Sequence, residues 1–503
     1  MEVTMKLLKS LILGAAAICA ASWGAQAADL PLKAKPVEYV KICSAYGAGF
    51  YYIPGTDICL KVGGYVWYDL NINQRGELID LGNSPQISND YGPLTTRVRA
   101  VFIMDARTAT QYGSLRSYVA IGMHWTSCGT LSAAGLPNNS AVNGCQQLAA
   151  SGGAGTIGEQ VTYTERAFIQ FAGFTFGYVG SFFDFNSSYS ITTQHTHSFK
   201  WTPALAYTIQ FGSGLSSTFS LEDATTRRSQ IAGCNVAALA FGAAAQNTCN
   251  AVPGGLAYGA GTGGEVVQGG FTGYGGQQAP VIVWNLRVDQ AWGSAQVAVG
   301  GHELKVNQFL AGNGVPDKWG WAVLGGVEFK VGPLDSLMLQ GVWGSGAAEF
   351  TGITSNPATT LGSLGRRHQG GSGPVFDIMD SFVTGTQAQE LTTQWAINAQ
   401  YRHFWNPMLR SAIFGGFNGQ NMGPQAQLAG YPDLELWQAG INTIWSPVKD
   451  LDLGVEILYT NVRTVCTAPC VPGANAGALG NGVPRNNTSI DVVSGVFRAR
   501  RNW

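Results

Sequence analysis

From residue 58 onward, apolar or aromatic residues recur at every second position, and those between them are polar, small or charged. A period of two belongs to an extended strand whose faces meet unlike surroundings. In 95–107, Val98, Ala100, Phe102, Met104 and Ala106 share one face, and Arg97, Arg99, Asp105 and Arg107 share the other. The next stretch repeats this, with Leu115, Ser117, Val119, Ile121 and Met123 opposed to Ser114, Arg116, Tyr118 and His124. Sixteen strands are predicted: 58–72, 93–107, 113–125, 160–172, 173–180, 199–211, 214–223, 279–290, 293–304, 318–331, 335–345, 391–403, 408–417, 434–446, 450–463 and 488–503. An even number is what closing an up-and-down bacterial barrel requires.

Short and long connections alternate along the chain. The short ones are 108–112, 212–213, 291–292, 332–334, 404–407 and 446–450; the long ones cover 73–92, 126–159, 181–198, 224–278, 305–317, 346–390, 418–433 and 464–487. Tight turns on one rim and long loops on the other belong to an outer-membrane barrel. A soluble sandwich hides its apolar faces in a core about 10 Å thick and has no use for sixteen strands in one layer. Hydrocarbon offers the backbone no hydrogen-bond partner, so a sheet within it must close on itself. The predicted fold is therefore an all-β, 16-stranded antiparallel transmembrane β-barrel over 58–503, entered through a segment at 28–57, with lipid outside and water within.

Compartment and composition agree with this. Lys6 and Lys9 precede an apolar run at 11–21, and Ala25-Gln26-Ala27 follows it, the pattern of a secretory signal peptide over 1–27 with cleavage after Ala27 and export by the Sec route. No later stretch has about 18 uninterrupted apolar residues, which excludes a helical membrane protein. Charged residues make up 12%, about half the share of an ordinary soluble domain, beside 68 Gly, 14 Trp, 18 Tyr and 23 Phe. Removing Lys6, Lys9 and Glu2 with the signal takes the net charge from -1 to -2, so neither sign is in the excess that nucleic acid as a partner would call for. Cys19 leaves with the signal, and the other eight cysteines fall into local pairs, Cys43 with Cys59, Cys128 with Cys145, Cys234 with Cys249 and Cys466 with Cys470. Eight cysteines allow 105 pairings, of which this is the simplest for an oxidising compartment.

Four regions carry a family resemblance: 28–39 (ADLPLKAKPVEY), 43–65 (CSAYGAGFYYIPGTDICLKVGGY), 166–185 (RAFIQFAGFTFGYVGSFFDF), and 445–459 (WSPVKDLDLGVEILY) together with 495–503 (GVFRARRNW). In these the chain resembles the outer-membrane porins of alphaproteobacteria, which are related to the general trimeric porins. The resemblance implies a sixteen-stranded barrel assembled as a homotrimer, one pore per subunit, with the third external loop folded into the lumen. In similar proteins a basic residue often follows Gly-Tyr-Val in the first strand, where this chain has Trp67. Outer-membrane lipid and lipopolysaccharide are the expected surroundings. The terminal Trp503, with Phe497 and Val493 on its face, suits the barrel assembly machinery, although Arg501 stands where another apolar residue is expected.

A pore acts through size and field at its narrowest point. Asp184 is the single carboxylate of the third long connection, and Arg97, Arg99, Arg116 and Arg166 are expected to face inward from the second, third and fourth strands. Were the loop to fold inward, Asp184 would face these arginines across a constriction. The alternative for Asp184 is a carboxylate bonded to its own loop backbone. Four arginines against one acid favour anions slightly, unless Lys61, Asp69, Asp289, Glu328 and Glu456 outweigh them. Phe182, Phe183 and Phe185 are expected to anchor the loop to the wall. The expected function is passive diffusion of small hydrophilic solutes and ions; a sugar- or nutrient-selective channel would need a ladder of lumen aromatics, and the inward aromatics assignable from sequence are scattered. A non-conducting structural or adhesin barrel is the further alternative. No enzyme is expected, because none of the six histidines has an obvious Ser and carboxylate partner. No cofactor or metal is expected either. The run Gly259-Ala260-Gly261-Thr262-Gly263-Gly264 lacks the strand and helix of a dinucleotide site, and His195 and His197 lack further ligands nearby in sequence.

Overall fold

The computed structural model describes residues 41–72, 94–126, 159–192, 194–233, 274–306, 314–353, 378–384, 388–428, 432–465 and 488–503. The expected signal peptide, the Gly-rich run at 259–264 and three of the four expected disulfides lie outside them.

Sixteen strands form the barrel: β1 (Cys59–Ile72), β2 (Leu94–Thr110), β3 (Gly113–Thr126), β4 (Glu159–Phe171), β5 (Phe174–Gly180), β6 (Trp201–Gly212), β7 (Leu215–Glu222), β8 (Val281–Gln290), β9 (Gly293–Leu304), β10 (Lys318–Val331), β11 (Asp335–Ser345), β12 (Thr393–Asn406), β13 (Leu409–Asn421), β14 (Asp433–Val448), β15 (Leu451–Val465) and β16 (Thr488–Asn502). Each pairs antiparallel with its neighbour in sequence, and β16 pairs with β1 from Tyr65↔Asn502 to Ile72↔Gly495, so no barrel strand is left with an open edge. Trp503 extends the seam, exchanging backbone hydrogen bonds of 3.0 and 3.1 Å with Gly64. A Cβ at Gly64 would lie 2.2 Å from the Val101 carbonyl and 2.7 Å from the Trp503 ring, so only glycine lets the two strands close there.

The predicted strands are all present, and several run further than expected. Pairing continues to Thr110, Asn406 and Val448, which shrinks the links after them to two residues each. Backbone hydrogen bonds persist past the last apolar position because ladder pairing needs no apolar side chain. Asp450 with φ 64° and Ser213 with φ 50°, the latter between Gly212 and Gly214, supply the left-handed backbone of such tight turns.

Alternation sets the two faces apart. Val297, Ile397, Ile413, Ile441, Val455, Ile457 and Val493 point outward and are exposed, and outward Trp residues gather near the short turns (Trp292, Trp405, Trp445) and near the long connections (Trp125, Trp319, Trp321, Trp343, Trp395, Trp437). An apolar belt between two aromatic girdles is the surface a lipid bilayer covers. Arg501 falls on the outward face at the turn rim, 3.7 Å from Asp450, where water reaches it. No helix among the described residues is long and apolar enough to cross a membrane.

The interior face is polar and buried, with Asn285, Gln296, Gln340, Gln394, Asn398, Gln400, Asn418, Gln420, Gln438 and Asn442 carried on β8 to β14. One apolar patch interrupts it, where Val283, Ala298, Ala322, Leu324 and Met338 pack around Phe183, Phe185 and Phe350. Gly326 makes this possible, since a Cβ there would meet the Phe185 ring at 2.6 Å. Two long connections also meet in a small buried sheet, in which 379–383 pairs parallel with 230–233 and antiparallel with 389–391. Near the start of the chain, Cys43 and Cys59 form a disulfide.

Candidate functional site

Two structures occupy the interior side of the strands: the connection at 181–200, between β5 and β6, and a set of arginines on β16 and β1–β4. The connection is held along its length by interior side chains. Glu222 of β7 accepts from the Ser181 hydroxyl (2.7 Å) and the Phe182 amide (2.9 Å), while Asn285 of β8 donates to the Phe182 carbonyl and Gln296 of β9 to those of Phe183 and Asp184. Glu328 of β10 takes the Tyr189 hydroxyl and the Asn186 amide group. Gln400 of β12 accepts from the Tyr189 amide (2.6 Å), Asn442 of β14 donates to the Tyr189 carbonyl (2.9 Å), and Glu456 of β15 accepts the Ile191 and Thr192 amides. Beyond these, Gln438 takes the His195 amide and Asn418 donates to its carbonyl. An irregular segment has no ladder to satisfy its backbone, so each buried N–H and C=O needs such a partner.

Asp184 has other neighbours than those expected. Its carboxylate accepts from the Ser198 hydroxyl and the Lys200 amide, both at 2.6 Å, and pairs with the Arg227 guanidinium at 2.8 Å; Arg97, Arg99, Arg116 and Arg166 are not among these partners. It ties the two ends of the connection together, and Arg227, fully buried, neutralises it. That pairing crosses 43 residues, and nothing in the local sequence marks it. Phe183 and Phe185 lie in the interior apolar patch, with Phe182 packed at its margin. His195 and His197 are both buried, and burial pushes both imidazoles down to about 4, so each ring is neutral near pH 7.

The four expected arginines sit on the other part of the interior, with Arg107, Arg498 and Arg500. Among the described interior side chains of β16 and β1–β4, these seven arginines face three carboxylates, Asp69, Asp105 and Glu165. Arg498 grips Asp69 with two bonds (2.7 and 2.8 Å), and Asp105 receives both Arg107 and Arg116. Arg116 also donates to Gln170. Glu165 reaches the interior through a register shift of β4 against β3, between Ala120 and Ile121, that breaks the strand's alternation; there it accepts the Tyr65 hydroxyl at 2.5 Å.

Between the guanidinia lie aromatic rings, grouped rather than scattered. Trp67 is stacked on Tyr65 with centroids 5.1 Å apart, and Tyr118 on Phe168 at 5.0 Å. Arg498 lies 4.2 Å and Arg99 4.7 Å from the Trp67 ring, Arg500 4.3 Å from Tyr65, and Arg166 4.9 Å from Trp201. These rings sit on different strands and become a row only through the pairing register, in which Trp67 is opposite both Arg500 and Arg99. Trp67 thus occupies the place of an expected basic residue, and the positive charge reaches it from both neighbouring strands. Among the described residues no group of three or more His, Cys, Asp and Glu is placed to hold a metal.

Comparison with known proteins bears on this arrangement. The porin subfamily model matches residues 29–479. Porin Omp2b of Brucella melitensis is 32% identical over 222 residues, covering 43% of this chain and 54% of that protein. Porin Omp2a of Brucella ovis is 38% identical over 122 residues, 24% of this chain and 33% of that protein. The chain therefore spans about half or less of the length of these relatives. The crystal structure of the outer membrane channel DcaP of Acinetobacter baumannii shares the fold, with a TM-score of 0.56 at 17% identity over 90% of this chain and 99% of that one. A subfamily match running through nearly the whole barrel, together with sixteen strands closed around a polar interior, places this chain in the porin subfamily.

Proposed function

We propose that the protein is a passive diffusion channel for small hydrophilic solutes and ions across the outer membrane, a homotrimer in which each subunit encloses a pore. In this reading the 181–200 connection folds into the lumen and narrows it against the arginine-bearing wall. The observation that carries it is the run of hydrogen bonds from 181–200 to interior side chains of β7 to β15, which leaves β16 and β1–β4 as the facing wall. Of the lumen carboxylates that would oppose an anion preference, Asp69 is offset by Arg498 and Asp289 by Arg287, while Glu328 and Glu456 lie on the side of the connection, away from the wall where seven arginines face three acids. A slight preference for anions follows.

Purified protein in planar bilayers is expected to give conductance steps in multiples of three and a reversal potential of anion-selective sign in a salt gradient. Electrical silence overturns the channel reading and favours a structural barrel; clear cation preference overturns the assigned wall. The row of Tyr65, Trp67, Tyr118 and Phe168 supports a second reading, a channel that favours particular nutrients, and conductance blocked by one solute class separates the two.

A further inference from the structure

We propose that Arg166 and Arg500 form an oxyanion-binding site on the interior wall, which holds the carboxylate or phosphate group of a passing solute by guanidinium N–H edges. This deepens the diffusion reading and rests on it. Both arginines converge on one hydrogen-bonded pair. The Arg500 guanidinium stacks 4.3 Å from the Tyr65 ring, Tyr65 donates to Glu165, and Arg166 reaches Glu165 from the adjacent position. Tyr65 is 5% exposed, so the pair is a fixed part of the wall.

The wall's guanidinia differ in what remains free. Arg498 and Arg116 have their donor edges filled by Asp69 with the Ile191 carbonyl and by Asp105 with Gln170. These two serve the structure. Arg500 donates Nε to Asn502 at 3.0 Å and has no carboxylate at ion-pair distance among the described residues, which leaves both Nη groups. Arg166 has a single acid contact, a loose 3.5 Å to Glu165, and its side chain is 35% exposed. Each lies over a ring, Tyr65 or Trp201, which covers a guanidinium face and leaves Nη groups for a ligand. Two parallel N–H donors match two oxygens of a carboxylate or phosphate, and a spherical chloride has no second atom to use the fork. The site therefore discriminates by geometry as well as by charge.

The test is current through the native channel in potassium chloride, titrated with inorganic phosphate in one arm and benzoate in another. Saturable block by either ion is expected, the arm that blocks naming the group that is read. Arg500→Lys and Arg166→Lys keep the charge and lose the planar fork, so block by the oxyanion is expected to weaken about tenfold. Current that changes only with ion mobility, or Lys variants blocked as strongly as the native channel, overturns the site and leaves the diffusion reading standing. A native protein without conductance fails the diffusion reading and takes the site with it. Should a variant not assemble, the native titration against chloride still decides.

Discussion

The two parts of the barrel interior solve opposite problems with different side chains. From β7 to β15 the interior offers mainly Asn, Gln and Glu, joined by Arg287 of β8, which donates to the Phe185 carbonyl, and these meet the backbone of 181–200. Amides carry both donors and acceptors and carboxylates accept two amides at once, so together they satisfy N–H and C=O groups alike. From β16 through β4 the interior offers arginine, which only donates and cannot satisfy an amide N–H. The connection is bonded along the first part and touches the second at its margin, where Arg498 donates to the Ile191 carbonyl at 3.1 Å. An amide-rich wall carries a segment, whereas in the proposed reading the arginine-rich wall faces solutes.

Breaking the Asp184 pair is expected to have the largest effect. Arg227→Leu leaves a buried carboxylate without its cation, at a cost of about 3–5 kcal/mol to the closed connection, seen as raised single-channel conductance and faster hydrogen exchange over 181–200. Unchanged exchange there means Asp184 is not what ties the connection. Phe185→Ala empties the slot opposite Gly326 and costs about 3 kcal/mol, with the same segment loosened and the barrel still folded.

Acid acts on the same side more mildly. Because burial holds His195 and His197 at about 4 against an ordinary 6.5, their contribution to the folded connection is complete above 6.5 and is lost as pH falls toward 4. Channel noise is expected to rise across that window and to do so less in His195→Asn; noise unchanged down to pH 4 contradicts the burial of these rings. The smallest effect belongs to the facing wall. Trp67→Ala removes the ring between Arg498 and Arg99, costs about 1–2 kcal/mol, and is expected to alter anion preference while exchange over 181–200 stays as it was. Should exchange over 181–200 quicken in this variant, the two walls are not separable.

Strand number, the inward set of arginines and the alternation of short and long links were legible in the sequence, because a strand's faces follow from the parity of its residues. Parity fails at Glu165, where the register of β4 shifts by one position, so alternation alone does not place in the lumen the acid that holds Tyr65. The partner of Asp184 and the aromatic row were hidden for another reason. Both depend on which residues of different strands come opposite one another.

The sequence by itself determined the barrel, its membrane-facing surface and the sign of charge on β2–β4, since these are properties of a residue and its near neighbours. Only the tertiary structure decided that Asp184 closes a loop neck with Arg227, that Glu328 and Glu456 are taken up by the 181–200 connection, and that Trp67 stands between two arginines. Register and long-range hydrogen bonding are collective, and no single strand carries them.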